Sequence, residues 1–147
     1  MGTRYKGAPR EVEALNLYIK LMRASASVTS RLQGRIQKSG LTMSQFGVLE
    51  ALYHLGPLCQ KELGDKLLQS GGNITMVVNN LERQGLVVRL RDEVDRRYIM
   101  VHLTWRGSEV VQELFPQHLE GIAGCFSVLT LEECQQLNRL LRKVGKG

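Results

Sequence analysis

Three cysteines, an odd number without a Cys-x-x-Cys pair, argue against a disulfide framework or a zinc ribbon and fit a reducing cytoplasm. No apolar run approaches the ~20 residues that a membrane helix needs. The first residues, Met1-Gly2-Thr3-Arg4-Tyr5-Lys6, run into Glu11 and Glu13 without the hydrophobic stretch of a signal peptide. His54, His102 and His118 are dispersed, and neither an HxxxH nor an HExxH spacing occurs. No serine stands in a His-and-acid pattern. A membrane protein, a secreted protein, a metal site and an enzyme are therefore all disfavoured, and no cofactor is expected. Only 5% of the residues are aromatic.

What is present is a chain of 147 residues, 43% apolar and 23% charged, as expected of one domain with a real core. The net charge of +6 suggests an anionic partner, but it is unevenly spread. Residues 1–40 hold eight Lys/Arg against Glu11 and Glu13, whereas residues 58–103 hold seven basic and six acidic side chains. An argument for nucleic acid must therefore rest on pattern and not on bulk charge.

Helical spacing dominates that pattern. From Glu11 to about Lys38, one apolar row runs Val12, Leu15, Ile19, Met22, Ala26 and a second Leu17, Leu21, Ala24, Val28, Leu32. A helix apolar on two sides usually lies between its own domain and something else, often a second subunit. Gly40 ends it. Thr42 with Gln45 forms a capping box for the next helix, whose expected core face is Phe46, Leu49, Leu52, Tyr53 and Leu55, up to Gly56-Pro57. A short helix over about 60–68 follows, then a turn at Gln69-Ser70-Gly71-Gly72. The next helix carries Ile74, Val77, Val78 and Leu81 inward, and Gly85 terminates it.

The period then changes. Leu86–Arg91 and Tyr98–Leu103 are β-branched and partly alternating, and the charged run Asp92–Arg97 between them reads as a hairpin tip. Thr104 caps a helix that Pro116 should interrupt and kink, and Thr130 with Glu133 opens a last one. The expected fold is mainly α with a small β-hairpin wing, in the order α-α-α-α-β-β-α-α.

Helix, turn, helix and hairpin over 58–103 outline a winged helix-turn-helix, in which a helix enters the major groove and the hairpin reaches the adjacent minor groove. The outward face of the candidate recognition helix carries Ser70, Gly72, Asn73, Thr75, Met76, Asn79, Asn80 and Arg83. Asparagines can read adenine edges, and glycine lets the backbone approach phosphate. A solvated surface helix would show much the same face. At the hairpin tip, Asp95, Arg96 and Arg97 project furthest, while Arg89 and Arg91 alternate onto one solvent-exposed strand face.

The ordered set Leu41-Thr42-x-x-Gln45-Phe46, Gly56-Pro57-Leu58, Glu62-Leu63, Gly72-Asn73-Ile74-Thr75, Asn80-Leu81-Glu82-x-x-Gly85-Leu86-Val87, Asp95-Arg96-Arg97 and Val101-x-Leu103-Thr104-x-x-Gly107 resembles the MarR family of bacterial transcription regulators, from about Val12 to Lys143. The resemblance implies a single MarR-type domain over 1–147. Residues 11–39 and 104–145 would form a helical dimerisation region, and 41–103 the DNA-binding lobe. It implies a cytoplasmic homodimer, with no membrane association, that binds a pseudo-palindromic site on double-stranded DNA. A repressor released by a small phenolic or other aromatic effector is the expected form. Arg96 would enter the minor groove with Asp95 orienting it. Met76 stands where the family often has Arg, a departure that keeps open an alternative, a MarR-like dimer acting through protein interaction.

Four further sets of residues have two readings each. Arg4, Lys6, Arg10, Arg31, Arg35 and Lys38 are either a solvated basic face or DNA-backbone contacts. His118 is either a packed or capping histidine or an effector contact. Cys59, just before the short third helix, is either a small residue in a capping position or a thiol activated by the helix N-terminus, which Glu62 would oppose. Cys125 and Cys134 lie at matching distances on either side of the Phe126–Leu129 turn, so they are either buried thiols or a pair that oxidant joins.

Overall fold

The structure, a computed structural model, describes residues 2–67 and 71–146. It contains α1 (Pro9–Gln37), α2 (Met43–Leu55), β1 (Leu58–Cys59), α3 (Gln60–Leu67), α4 (Gly71–Arg83), β2 (Val87–Arg91), β3 (Ile99–Leu103), α5 (Trp105–Phe126) and α6 (Leu131–Lys146). The helices start where side chains can satisfy their first free N–H groups. Thr42 Oγ1 accepts from Gln45 N–H at 3.1 Å while Gln45 Oε1 accepts from Thr42 N–H at 3.0 Å. Thr130 and Glu133 repeat the exchange at α6, at 3.1 and 2.8 Å. Gly85, with φ +73°, closes α4 in the left-handed region that side chains avoid.

By its contacts the chain divides into two units, residues 33–119 and residues 1–32 with 120–147. The first is centred on an apolar cluster that includes Phe46, Val48, Leu49, Leu63, Ile74, Val78, Leu81 and Val101, with Ile36 from the end of α1 and Val111 from α5. This unit therefore draws core residues from outside the 41–103 stretch. Its sheet has the order β1-β3-β2, all antiparallel, with Leu58 opposite Val101 and Arg89 also opposite Val101 on the other side. At the entry to α5, Thr104 N–H donates to Leu86 O at 3.1 Å and its hydroxyl to Gly85 O at 2.7 Å, tying α5 to the end of α4. Gly107 belongs to this joint, because a Cβ there would run into the Leu86 carbonyl oxygen and come within 2.8 Å of Leu103 Cδ1.

In the second unit, Thr3 N–H donates to Asn16 Oδ1 at 2.7 Å and Tyr5 Oη–H to Glu11 Oε2 at 3.1 Å. Many apolar side chains remain uncovered here: Leu15, Leu17, Tyr18, Leu21 and Met22 on α1, and Leu137, Leu140, Leu141 and Val144 on α6. No residue of α6 is buried.

Four local expectations need correction. The two-residue β1 is absent from the expected order, since two residues are too few to show a period. Gly71 and Gly72 are the first residues of α4 and not part of a preceding turn. Tyr53 and Leu55 are exposed, and Val48 takes the core place that α2's spacing assigned to them. Pro116 lies inside an unbroken α5, where a proline removes one N–H without ending the helix.

Candidate nucleic-acid interface

The inward stripe of α4, Ile74, Val77, Val78 and Leu81, is buried as its i, i+3, i+4, i+7 spacing requires. That burial orients the opposite face. Gly72, Asn73, Thr75, Met76 and Arg83 are exposed, Asn79 and Asn80 half-buried, and Ser70 lies outside the described residues. Met76 is 65% exposed, which places a thioether in the middle of an otherwise polar face.

The outward residues form two groups. Thr75, Asn79 and Glu82, at i, i+4 and i+7, are engaged by a hydrogen-bonded network with α3 and β2. Arg89 donates from Nε and Nη2 to Gln60 Oε1 at 3.0 and 2.9 Å, from Nη2 to Asn79 Oδ1 at 2.7 Å, and from Nη1 to Glu82 Oε1 at 3.0 Å. Gln60 Nε2 donates onward to Thr75 Oγ1 at 3.0 Å, and Thr75 Oγ1–H to Gly71 O at 2.9 Å. The second group is Gly72, Met76, Asn80 and Arg83. The side-chain hydrogen bond found in this group, among the described residues, is the long 3.4 Å contact from Arg83 Nη1 to Asn80 Oδ1.

Arg89 is thus not the solvated strand arginine that alternation suggested. Its side chain is 20% exposed, paired with Glu82 and anchored to two amides. Sequence reasoning missed Gln60 and Glu82 as well, and no spacing signals them, because their partner lies on another element. Arg91 differs again: its Nη1 donates to the Arg96 carbonyl at 2.6 Å and braces the hairpin tip from within.

The tip is tightly bonded. Asp95 N–H donates to Asp92 Oδ2 at 2.9 Å, and the Asp92 and Tyr98 backbones close the hairpin at 2.9 Å. The Asp95 carboxylate holds Arg97, not Arg96 as the resemblance implied: Arg97 Nη2 lies 2.7 Å from Oδ2, with Nε and the backbone N–H 3.0 and 3.1 Å from Oδ1. A carboxylate two residues before an arginine can accept from its backbone and guanidinium together. These bonds hold Asp95 below the usual carboxylate range, chiefly through the Arg97 side chain and then its N–H, and raise Arg97. The Arg96 side chain is exposed and forms no hydrogen bond or ion pair among the described residues.

The remaining candidates lie elsewhere. Cys59 N–H donates to Glu62 Oε1 at 3.2 Å, so Glu62 caps α3, and its carboxyl is held down first by the Cys59 side chain and then by that N–H. Cys59, Cys125 and Cys134 are free thiols, with Cys125 buried. His118 is packed: its ring meets Phe46 edge-on at 5.0 Å, Nε2 is 3.7 Å from Glu50 Oε2, and Nδ1 has no partner among the described residues. Arg35, one of the six basic residues, donates to Gln117 O at 3.2 Å. Among the described residues no His/Cys/Asp/Glu group could hold a metal ion, and no helix is long and apolar enough to cross a membrane.

A helix presenting short polar side chains beside a bonded, arginine-tipped hairpin defines a winged helix-turn-helix transcription regulator. A sequence model of the MarR family matches residues 39–97. The chain is 37% identical to the HTH-type transcriptional regulator MhqR of Bacillus subtilis over 133 residues, 90% of this chain and 92% of that protein. The chain belongs to the MarR family. Among solved structures, Bordetella bronchiseptica BpsR, whose DNA binding is regulated by 6-hydroxynicotinic acid, superposes with a TM-score of 0.83 at 26% identity, covering 99% of each chain. Staphylococcus aureus MepR in complex with DNA superposes at 0.77 with 26% identity, covering 88% of this chain and 96% of that one.

Proposed function

We propose that the chain is a cytoplasmic, homodimeric repressor that is not an enzyme. It binds a pseudo-palindromic duplex through α4 and the β2–β3 wing, and a small aromatic molecule releases it. The observation that carries this reading is the pairing of two surfaces within one unit. One is α4's outward face; the other is a wing tip whose Asp95 clamps Arg97 while the Arg96 guanidinium has no partner among the described residues. A guanidinium on a bonded hairpin suits the narrow, electronegative minor groove, and Gly72 at the start of α4 brings backbone N–H groups to phosphate. The exposed apolar rows of α1 and α6 support a second copy as partner. MepR bound to DNA supports the duplex, and BpsR with 6-hydroxynicotinic acid supports an aromatic effector. The DNA contacts in this reading are Gly72, Asn73, Met76, Asn79, Asn80 and Arg83 on α4 and Arg96 and Arg97 on the wing, with Thr75 behind them.

The experiment is selection from a random DNA pool followed by titration of the enriched site at several salt concentrations. The reading expects a two-fold symmetric site with half-sites about one helical turn apart and an affinity that falls steeply with salt. Enrichment of no sequence would refute it.

Met76 favours a second reading. An apolar side chain 65% exposed at the centre of this face also suits a protein surface. If Met76 instead packs on a thymine methyl, Met76→Ala weakens binding only to sites with thymine at one position.

A further inference from the structure

The network around Arg89 does more than fasten β2 to α4. A guanidinium carries only donors, so the atom of an amide that faces it is the oxygen. Arg89 meets both Gln60 Oε1 and Asn79 Oδ1 in this way, at 2.9 and 2.7 Å from the same Nη2. Both amides are thereby fixed with their oxygens toward Arg89 and their NH2 groups away from it. The Gln60 NH2 is directed to Thr75 Oγ1. The Asn79 NH2 has no protein acceptor among the described residues, and Asn79 sits on α4 beside Met76 and Asn80.

We propose that Arg89 sets the base preference of the recognition helix by fixing the Asn79 amide as a donor. Asparagine ordinarily reads adenine by accepting from N6 and donating to N7 at once, which needs both ends of the amide. With Oδ1 held 2.7 Å from the guanidinium, the amide cannot turn its oxygen to adenine N6 without giving up that contact. Its two N–H groups instead suit edges made of acceptors, O6 and N7 of guanine or O4 of thymine. Arg89 acts through Asn79 and is a positioning residue. Its own charge faces Glu82 Oε1 at 3.0 Å and not a phosphate. The inference rests on the reading that α4 lies in the major groove.

Two measurements test it. On the protein alone, side-chain 15N spectra of wild type and Arg89→Met are compared, with Arg89→Lys as a variant that keeps the charge but cannot span both amides. The Asn79 and Gln60 amide signals are expected to move together in both variants, while circular dichroism shows the fold retained. Unmoved amide signals would overturn the anchoring.

On DNA, the random-pool selection is repeated with wild type, Arg89→Met, Asn79→Ala and the double variant. Wild type is expected to disfavour adenine at one position of each half-site by about tenfold, the scale of one good base contact. Arg89→Met should lose that discrimination at this position alone, with the salt slope unchanged, and the double variant should select as Asn79→Ala does. An intact preference with a slope lower by about one unit per subunit would make Arg89 a phosphate contact and overturn the proposal. A wild-type chain that enriches no sequence overturns operator binding and the base preference with it. The amide spectra distinguish that result from a broken anchor.

Discussion

Asp95 grips Arg97 through two guanidinium nitrogens, at 2.7 and 3.0 Å, while its immediate neighbour Arg96 has no side-chain partner among the described residues. Two adjacent arginines at the wing tip therefore have different physics. Arg97 is held beside a carboxylate that offsets its charge, whereas no carboxylate among the described residues pairs with Arg96.

Arg96→Ala is expected to cost about 1–3 kcal/mol of DNA binding and to lower the salt slope by about one unit per subunit. Arg89→Ala should leave the slope unchanged. Titration of the selected site at several salt concentrations compares them, and equal slopes for the two variants would defeat the assignment of Arg96.

The Asp95–Arg97 clamp has a defined pH window. Asp95 is held below the usual carboxylate range, so the clamp's contribution is fully present above that range and is lost only as pH falls through the lowered folded value. Between neutral pH and the usual carboxylate range the wing should not change. Carboxyl 13C titration is expected to show Asp95 protonating below the usual carboxylate range, and Arg97→Gln should return it upward.

Gly107 is expected to be intolerant of a side chain. An added Cβ meets the Leu86 carbonyl, a backbone atom already accepting from Thr104 N–H at 3.1 Å, so neither side can yield without breaking the joint between α4 and α5. Gly107→Ala should cost about 3 kcal/mol or more, at the top of the overpacking range. Gly34→Ala, in open space on α1, should instead stabilise by about 0.5–1 kcal/mol. Urea unfolding of both variants compares the two sites.

The exposed rows of α1 and α6 predict a sedimentation mass near twice the chain's 16.6 kDa at micromolar concentration. Leu137 and Leu141, 38% and 42% exposed and one helical turn apart, are the places to test it. Leu137→Glu with Leu141→Glu should yield monomers, and a wild-type mass near one chain would sink the dimer.

His118 is expected to be dispensable for stability. Its Nδ1 is buried without a partner among the described residues, and Phe46 packs against the ring edge-on. Because a buried unsatisfied group costs about 1–3 kcal/mol, His118→Leu should melt no lower than wild type. A drop of several degrees would show that the Glu50 contact at 3.7 Å contributes more than the orphaned nitrogen costs.

The sequence by itself determined the elements whose causes are local. Thr42 with Gln45 and Thr130 with Glu133 start helices because a cap and its third residue lie within one turn. The stripe from Ile74 to Leu81 is buried because 3.6 residues per turn bring those four positions to one side. The same spacing read one face round was enough to name the outward residues of α4, and the charged run 92–97 between two β-branched segments was enough to place the wing. Tertiary structure decided the pairings. Arg89 finds Asn79 ten residues away and Gln60 twenty-nine away, where β2, α3 and the side of α4 converge, so its role as an anchor was not readable from strand alternation. Asp95 lies next to Arg96 in sequence and two residues from Arg97, yet the turn at Asp92–Tyr98 brings it to Arg97. Periodicity records which side of an element is apolar. It carries no information on which of several polar groups on separate elements will meet, because that depends on distances only the packed core sets.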